Sequence, residues 1–132
     1  MIYKAATALV GGIARRGETF GALIGAIMAL EIYEGREKKK DSQKLNDAVA
    51  DVYKICEEFQ QRLVKEFKLK QPLQSTLCRD LQKALYGQSC TLSDPTQRSA
   101  FIATGGHSDE ECLKVCGIVA EIAAETILNK QS

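Results

Sequence analysis

The segment from Asp41 to Phe67 leaves the chain little choice of architecture. Leu45, Val49, Val52, Cys56, Phe59, Leu63 and Phe67 recur at steps of four and three, flanked by Ala48 and Ile55, with Lys and Glu opposite. That is the repeat of an amphipathic helix, and so long a one-sided helix must bury its stripe against other elements. Those elements also read as helices. Period-two alternation of β-branched residues is nearly absent, and both prolines, Pro72 and Pro95, fall between periodic segments. A short first helix is expected over about Ile2 to Val10, closed by Gly11-Gly12. A second runs from Gly17-Glu18-Thr19 to Tyr33, and the long third follows. A short fourth is capped by Ser75 and ends near Leu85 before Gly87. The last opens on a capping box, Ser108-Asp109-Glu110-Glu111. Residues 88–106 read as a loop with a helical turn around Pro95 to Ile102.

The second helix carries Gly17, Gly21, Gly25 and Ala29 at intervals of four, with Ala22 and Ala26 alongside. Each interior glycine costs about 1 kcal/mol against alanine, which close approach of another helix must offset. The expected fold is therefore all-α: a compact bundle of four to five helices around this Gly/Ala-rich central helix, one domain over residues 1–132. Membrane helix dimers use the same spacing, but the apolar run from Phe20 to Leu30 is well short of the roughly 18–20 residues of a spanning helix. No membrane span is expected. Residues 36–41 form a solvated charged linker. Gly11 to Gly17 fits no phosphate loop and reads as a tight connection between helices.

Charge narrows the partners. Lys and Arg total 18 against 17 Asp and Glu, a net charge of +1, which gives no basic surface for nucleic acid or anionic lipid. The start of the chain has its arginines after the apolar stretch, the wrong order for a secretory signal, so a cytoplasmic protein with reduced thiols is expected. One His and scattered carboxylates give acid–base hydrolysis or group transfer no constellation, and that class ranks last. Cys-x-x-Cys, Walker and His-Glu-x-x-His motifs are absent from the sequence.

Chemistry therefore rests on five cysteines. Cys56 lies within the long apolar stripe and reads as packing. Cys78, at the third position of a helix capped by Ser75, is set beside free backbone N–H groups that would favour its thiolate. Cys112 lies just past the Ser108 cap, with Glu110 and Glu111 working against the same effect. Cys116 is one turn further on the same face. That pair could chelate an ion or fill two core positions, and the second reading is favoured. Cys90 falls in a loop and is unassigned. His107 reads as a surface or supporting group, because His-x4-Cys-x3-Cys matches no usual zinc spacing.

The run Gly11-Gly12-Ile13-Ala14-Arg15-Arg16-Gly17-Glu18-Thr19, continuing Phe20-Gly21-Ala22-Leu23-Ile24-Gly25-Ala26-Ile27-Met28-Ala29-Leu30, resembles the central motif of the C_GCAxxG_C_C family. These are small helical proteins of bacteria and archaea described as redox-active. Cys78-Arg79-Asp80-Leu81, Leu92-Ser93-Asp94-Pro95, and Cys112-Leu113-Lys114-Val115 with Ala120-Glu121-Ile122 resemble further family segments, so the likeness spans nearly the whole chain. It implies four characteristic cysteines, of which Cys78 and Cys112 carry over. Phe20 stands where the motif has cysteine, making Phe20, Gly21, Ala22 and Gly25 a degenerate motif. The helix bearing the first family cysteine would lie before Met1.

The resemblance implies dithiol exchange or a thiolate-bound iron–sulfur cluster or zinc, with Cys78 and Cys112 as the redox or metal residues and a redox protein as partner. A four-ligand centre within one chain would need Cys116, Cys90 or His107 as substitutes. Positions 20, 78 and 112 all fall in first turns of expected helices, whose dipoles would favour thiolates there. The alternative is a degenerate member that keeps the fold and serves as a non-catalytic subunit or dimeric interaction module. The small-residue ridge and the missing leading helix leave an apolar face for a second copy, so a homodimer is expected.

Overall fold

A computed structural model describes residues 2–106, 108 and 111–132, and of residues 2 and 3 the backbone alone. The chain runs through α1 (Ile2–Ala5), a 3-10 turn (Thr7–Leu9), α2 (Gly21–Glu34), α3 (Ser42–Glu66), α4 (Cys78–Tyr86), α5 (Pro95–Ala103) and α6 (Cys112–Gln131). Among the described residues the only β pairing is an isolated antiparallel bridge between Thr19 and Leu77. The helical fold class is as expected, with five helices of nine or more residues.

Helix α3 forms where its stripe demanded, with the Asp41 carboxylate capping it by accepting from Lys44 N at 3.0 Å. Its Ile55, Phe59 and Leu63 pack against Leu23 and Leu30 of α2 and Val115, Val119 and Ile122 of α6 in one buried cluster. Ion pairs fix the directions. Lys130, near the end of α6, meets both Glu34 at the end of α2 and Asp51 in α3 at 2.8 Å. At the other end, Lys114 pairs with Glu66 at 2.6 Å, and between them Arg62 joins Glu121 and Glu125. Helix α6 is thus antiparallel to α3 and runs alongside α2 in the same sense. The starts of α2 and α6 share one end of the bundle.

The stripe is only partly used. Leu45 and Val49 are exposed, Val49 by 60%, because they precede Asp51 and so project past the level where Lys130 closes the packing. The ridge of small residues divides in the same way. Gly21 sits under the 3-10 turn, where a Cβ would strike the Leu9 carbonyl, its carbon only 3.1 Å away, whereas a Cβ on Gly25 would meet nothing within 4 Å. The close approach expected along the whole ridge is made by the Leu9 backbone at its start, and the rest faces an open groove.

Two further expectations shift. Residues 2–9 form α1 and a 3-10 turn rather than one helix. The turn foreseen near Pro95 is the full helix α5, because Asp94 accepts from Thr96 N at 2.8 Å and Gln97 N at 3.1 Å and Pro95 occupies a first-turn position that needs no donor.

Candidate functional site

The site is built around a left-handed turn. Gly11, Gly12, Ile13, Ala14 and Arg15 all have positive φ, between +51° and +69°. For the three that carry a Cβ this costs about 1–2 kcal/mol each. Hydrogen bonds hold the turn, from Ala14 N to Ala8 O at 2.7 Å, Arg15 N to Val10 O at 2.9 Å and Glu18 N to Gly12 O at 3.0 Å. The chain leaves it running beside the segment that precedes α4. Phe20 N donates to Thr76 O at 3.0 Å, Cys78 N to Glu18 O at 2.7 Å and Arg79 N to Gly17 O at 3.2 Å.

This seam moves two helix starts from where the sequence put them. Gly17 to Phe20 are extended or turning, so α2 begins at Gly21. Helix α4 begins at Cys78 with Leu77 in the capping position, and the Ser75 hydroxyl accepts from Leu77 N at 2.9 Å instead of capping the helix. Cys78 is therefore the first helical residue, opposite Glu18 across the seam. The capping box also fails to form. Helix α6 begins at Cys112 with Glu111 before it making no side-chain cap, and Ser108 contributes its carbonyl to Leu113 N at 3.3 Å. Asp109 and Glu110 lie outside the described residues.

Because α6 runs alongside α2, Cys112 arrives at the Phe20 end. A cavity of about 390 Å³ lies between the three helix starts and the turn, lined by Cys78, Cys112 and Cys116 together with Phe20, Gly21 and Gly25. Leu9, Val10, Leu92 and Phe101 complete its apolar wall. The other sequence candidates do not join it. Cys90 is absent from its lining, Cys56 packs half-buried against the core from α3, and His107 lies outside the described residues.

Cys78 is 5% exposed, and its thiol is pushed up by burial, against a lowering from the Gln82 amide, with a smaller raising by Cys112. That reverses the direction expected of a helix N-terminus. The reason is visible in the seam: the N–H groups of Cys78 and Arg79 are already taken by the Glu18 and Gly17 carbonyls, so they do not reach the sulfur. Cys116 is raised by burial and then by Cys112, in spite of a lowering by its own backbone. Cys112 thus acts electrostatically on both other thiols of the cavity.

Sequence reading missed the supporting polar groups. Gln82, one turn after Cys78 and 3% exposed, donates to the Cys78 Sγ at 3.5 Å and accepts from Cys90 N at 3.0 Å. Helical spacing from Cys78 was the available signal for it. Tyr86, at the end of α4, stacks edge-on against Phe101 with ring centroids 5.1 Å apart. Its hydroxyl and the Glu111 Oε2 are both buried without a well-formed hydrogen bond. Burial, then the neighbouring Cys112 and Glu111, raise the phenol far above its usual range, which keeps it protonated. No local pattern marks Tyr86, since it reaches Cys112 from another helix.

Among the described residues the donor set does not fit a resident metal: no three His, Cys, Asp or Glu side chains are arranged to hold an ion, and position 20, on the same cavity as Cys78, is the apolar Phe20.

The raised thiols have a consequence for stability. Between the unfolded thiol pKa of about 8.5 and the higher folded values, the folded chain holds protons that the unfolded chain has released. This contribution is fully present below pH of about 8.5 and is lost as pH rises through the folded values of Cys78 and Cys116. The thermal midpoint is expected to fall between about pH 8.5 and 10.5, and to fall less in Cys78→Ala. An equal fall in both proteins, measured by circular dichroism, would remove Cys78 as a cause.

Fold and cavity together define a small all-α protein that gathers thiols at one end of its bundle. The model of the family described as "Putative redox-active protein (C_GCAxxG_C_C)" matches residues 1–126, and the chain belongs to that family. No curated protein and no solved structure matches it. Among the described residues no helix is long and apolar enough to cross a membrane.

Proposed function

We propose that the chain is a dithiol redox protein in which Cys78 and Cys112 are the exchanging pair. The observation that supports this reading is their common cavity, with each cysteine the first residue of a helix and Cys112 acting electrostatically on Cys78. Cys116 is the weaker candidate for pairing with Cys112. Residues one turn apart in a helix hold their Cβ atoms about 5–6 Å apart, beyond the roughly 3.5–4.5 Å of a disulfide. Cys112 is half-buried and Cys78 buried, so Cys112 meets a substrate disulfide first. Its thiolate attacks one sulfur, forming a mixed disulfide and releasing one thiol. Cys78 then attacks the Cys112 sulfur, closing the internal disulfide and releasing the second thiol. Two protein thiols are oxidised and one substrate disulfide is reduced.

The test is peptide mapping after oxidation by oxidised dithiothreitol, with free thiols blocked. A Cys78–Cys112 disulfide that reverses with excess dithiothreitol is expected, together with alkylatable Cys56 and Cys90. Cys78→Ser or Cys112→Ser should each abolish that disulfide, because the bond needs both sulfurs. Absence of a reversible disulfide in the unmodified chain would refute the pair.

A second reading has its own observation. Ala22, Gly25 and Ala29 of α2 face Ala120, Ala124 and Ile127 of α6 across an open apolar groove of about 420 Å³. A second copy seated there would make the chain a dimeric, non-catalytic module. This reading needs a dimer in light scattering at micromolar concentration, and a monomer that still closes the disulfide decides for the first.

A further inference from the structure

Among the described residues, the walls of the cavity that holds the thiols carry no charge: none of those lining it is Asp, Glu, Lys or Arg, and apart from the three thiols their only polar side chain is Gln82. Gln82 is itself engaged, with the Cys78 Sγ and with Cys90 N. Charges nearby are held outside. Glu18 and Arg79 pair with each other at 3.8 Å on the outer side of the seam. Glu111 precedes Cys112 and acts on Tyr86 without lining the cavity. At the starts of α4 and α6 the N–H groups of Cys78, Arg79 and Leu113 are already bonded to the carbonyls of Glu18, Gly17 and Ser108.

A charged substrate entering such a space would lose hydration and find no partner, a cost of several kcal/mol. A neutral one would exchange apolar surface with Leu9, Val10, Phe20, Leu92 and Phe101. Its size is bounded too. At about 390 Å³ the cavity is near the lower end of small-molecule sites, and the floor at Gly25 is open, since a Cβ there would meet nothing within 4 Å.

We propose that the Cys112–Cys78 cavity selects a small, uncharged, apolar disulfide as its substrate, against charged peptide disulfides. This inference rests on the dithiol reading for its chemistry and adds the class of molecule that the thiols meet. The step is the exchange already written: Cys112 bonds to one substrate sulfur, the other leaves as a thiolate and takes up the proton that Cys112 lost. Both released thiols are neutral and apolar.

Methanethiosulfonates supply the test, because reagents of one reactivity class differ only in the group they transfer. Each gives a protein mixed disulfide and methanesulfinate. Rates at Cys112 would be read by mass spectrometry for butyl, sulfonatoethyl and trimethylammonioethyl reagents, each normalised to the same chain unfolded in urea. Butyl is expected to react at least thirtyfold faster than either charged reagent after normalisation. Charged reagents within threefold of butyl would overturn the proposal.

Gly25→Leu adds apolar bulk to the cavity wall at a position where its Cβ meets nothing within 4 Å, and should slow the butyl reagent about tenfold while leaving the helical circular dichroism unchanged. An unchanged butyl rate in that folded variant would also overturn it. The two readings fail separately. Charge discrimination at Cys112 in an unmodified chain that closes no reversible disulfide sinks the dithiol pair alone. A reversible disulfide with no charge discrimination sinks the substrate class alone.

Discussion

Gly12→Ala is expected to destabilise the protein by about 3–4 kcal/mol and to lower its thermal midpoint by about 10 °C. Two costs combine. Gly12 has φ of +69°, where an L-residue with a Cβ carries about 1–2 kcal/mol of strain. The added methyl would also lie 2.7 Å from the Cys78 Cβ and 2.7 Å from Glu18 N, and strike the Glu18 carbonyl as well. That carbonyl accepts from Cys78 N, so neither side can yield without parting the seam. Gly25→Ala is the control, with open space for its methyl and a gain in helix propensity of up to about 1 kcal/mol. Urea denaturation of the two variants checks the pair. Equal stabilities would show that the seam does not constrain position 12.

Phe20→Ala is the second large effect, an expected loss of about 3–5 kcal/mol. Phe20 is 8% exposed and stacks on Phe59 with ring centroids 6.2 Å apart and planes 19° from parallel. Its ring is both core and cavity wall, so truncation removes apolar burial, the aromatic contact worth about 0.5–1.5 kcal/mol, and the plug beside Cys78. Phe20→Leu keeps most of the volume and should lose under about half as much. In the Ala variant Cys78 should alkylate several-fold faster than in the Leu variant under native conditions. Matched alkylation rates would show that the ring does not shield the thiol.

The long helix was legible because its signal is local: Asp41 caps it, and Ile55, Phe59 and Leu63 are buried as the stripe required. Cys56 also sits as its place in the stripe suggested, half-buried against the core. The helix starts at the site were less legible, and for one reason. Ser75 and the Ser108 to Glu111 run have capping chemistry in sequence, but backbone carbonyls took those donors first, from Glu18 and Gly17 at α4 and from Ser108 itself at α6. The same competition reversed the expected effect on Cys78. Residue spacing carries no trace of Glu18 and Gly17 reaching α4, nor of Tyr86 reaching Cys112. The likeness of Gly11 to Leu30 to a family motif covers the stretch that forms the turn, one side of the seam and part of the cavity wall, and the structure supplies what those glycines do. Gly12 admits Cys78, Gly21 admits Leu9, and Gly25 leaves room.

The seam joins two segments separated in the chain by the whole of α2 and α3, while α2, α3 and α6 pack against one another without it. Helix α4 is fastened to that three-helix block through Cys78, Leu81, Leu85 and a few backbone bonds. A fastening of this kind opens at a lower free energy than the block it closes. The thiol on α4 is thereby carried by the part of the bundle that backbone bonds tie on, while the core of long helices lies beside it.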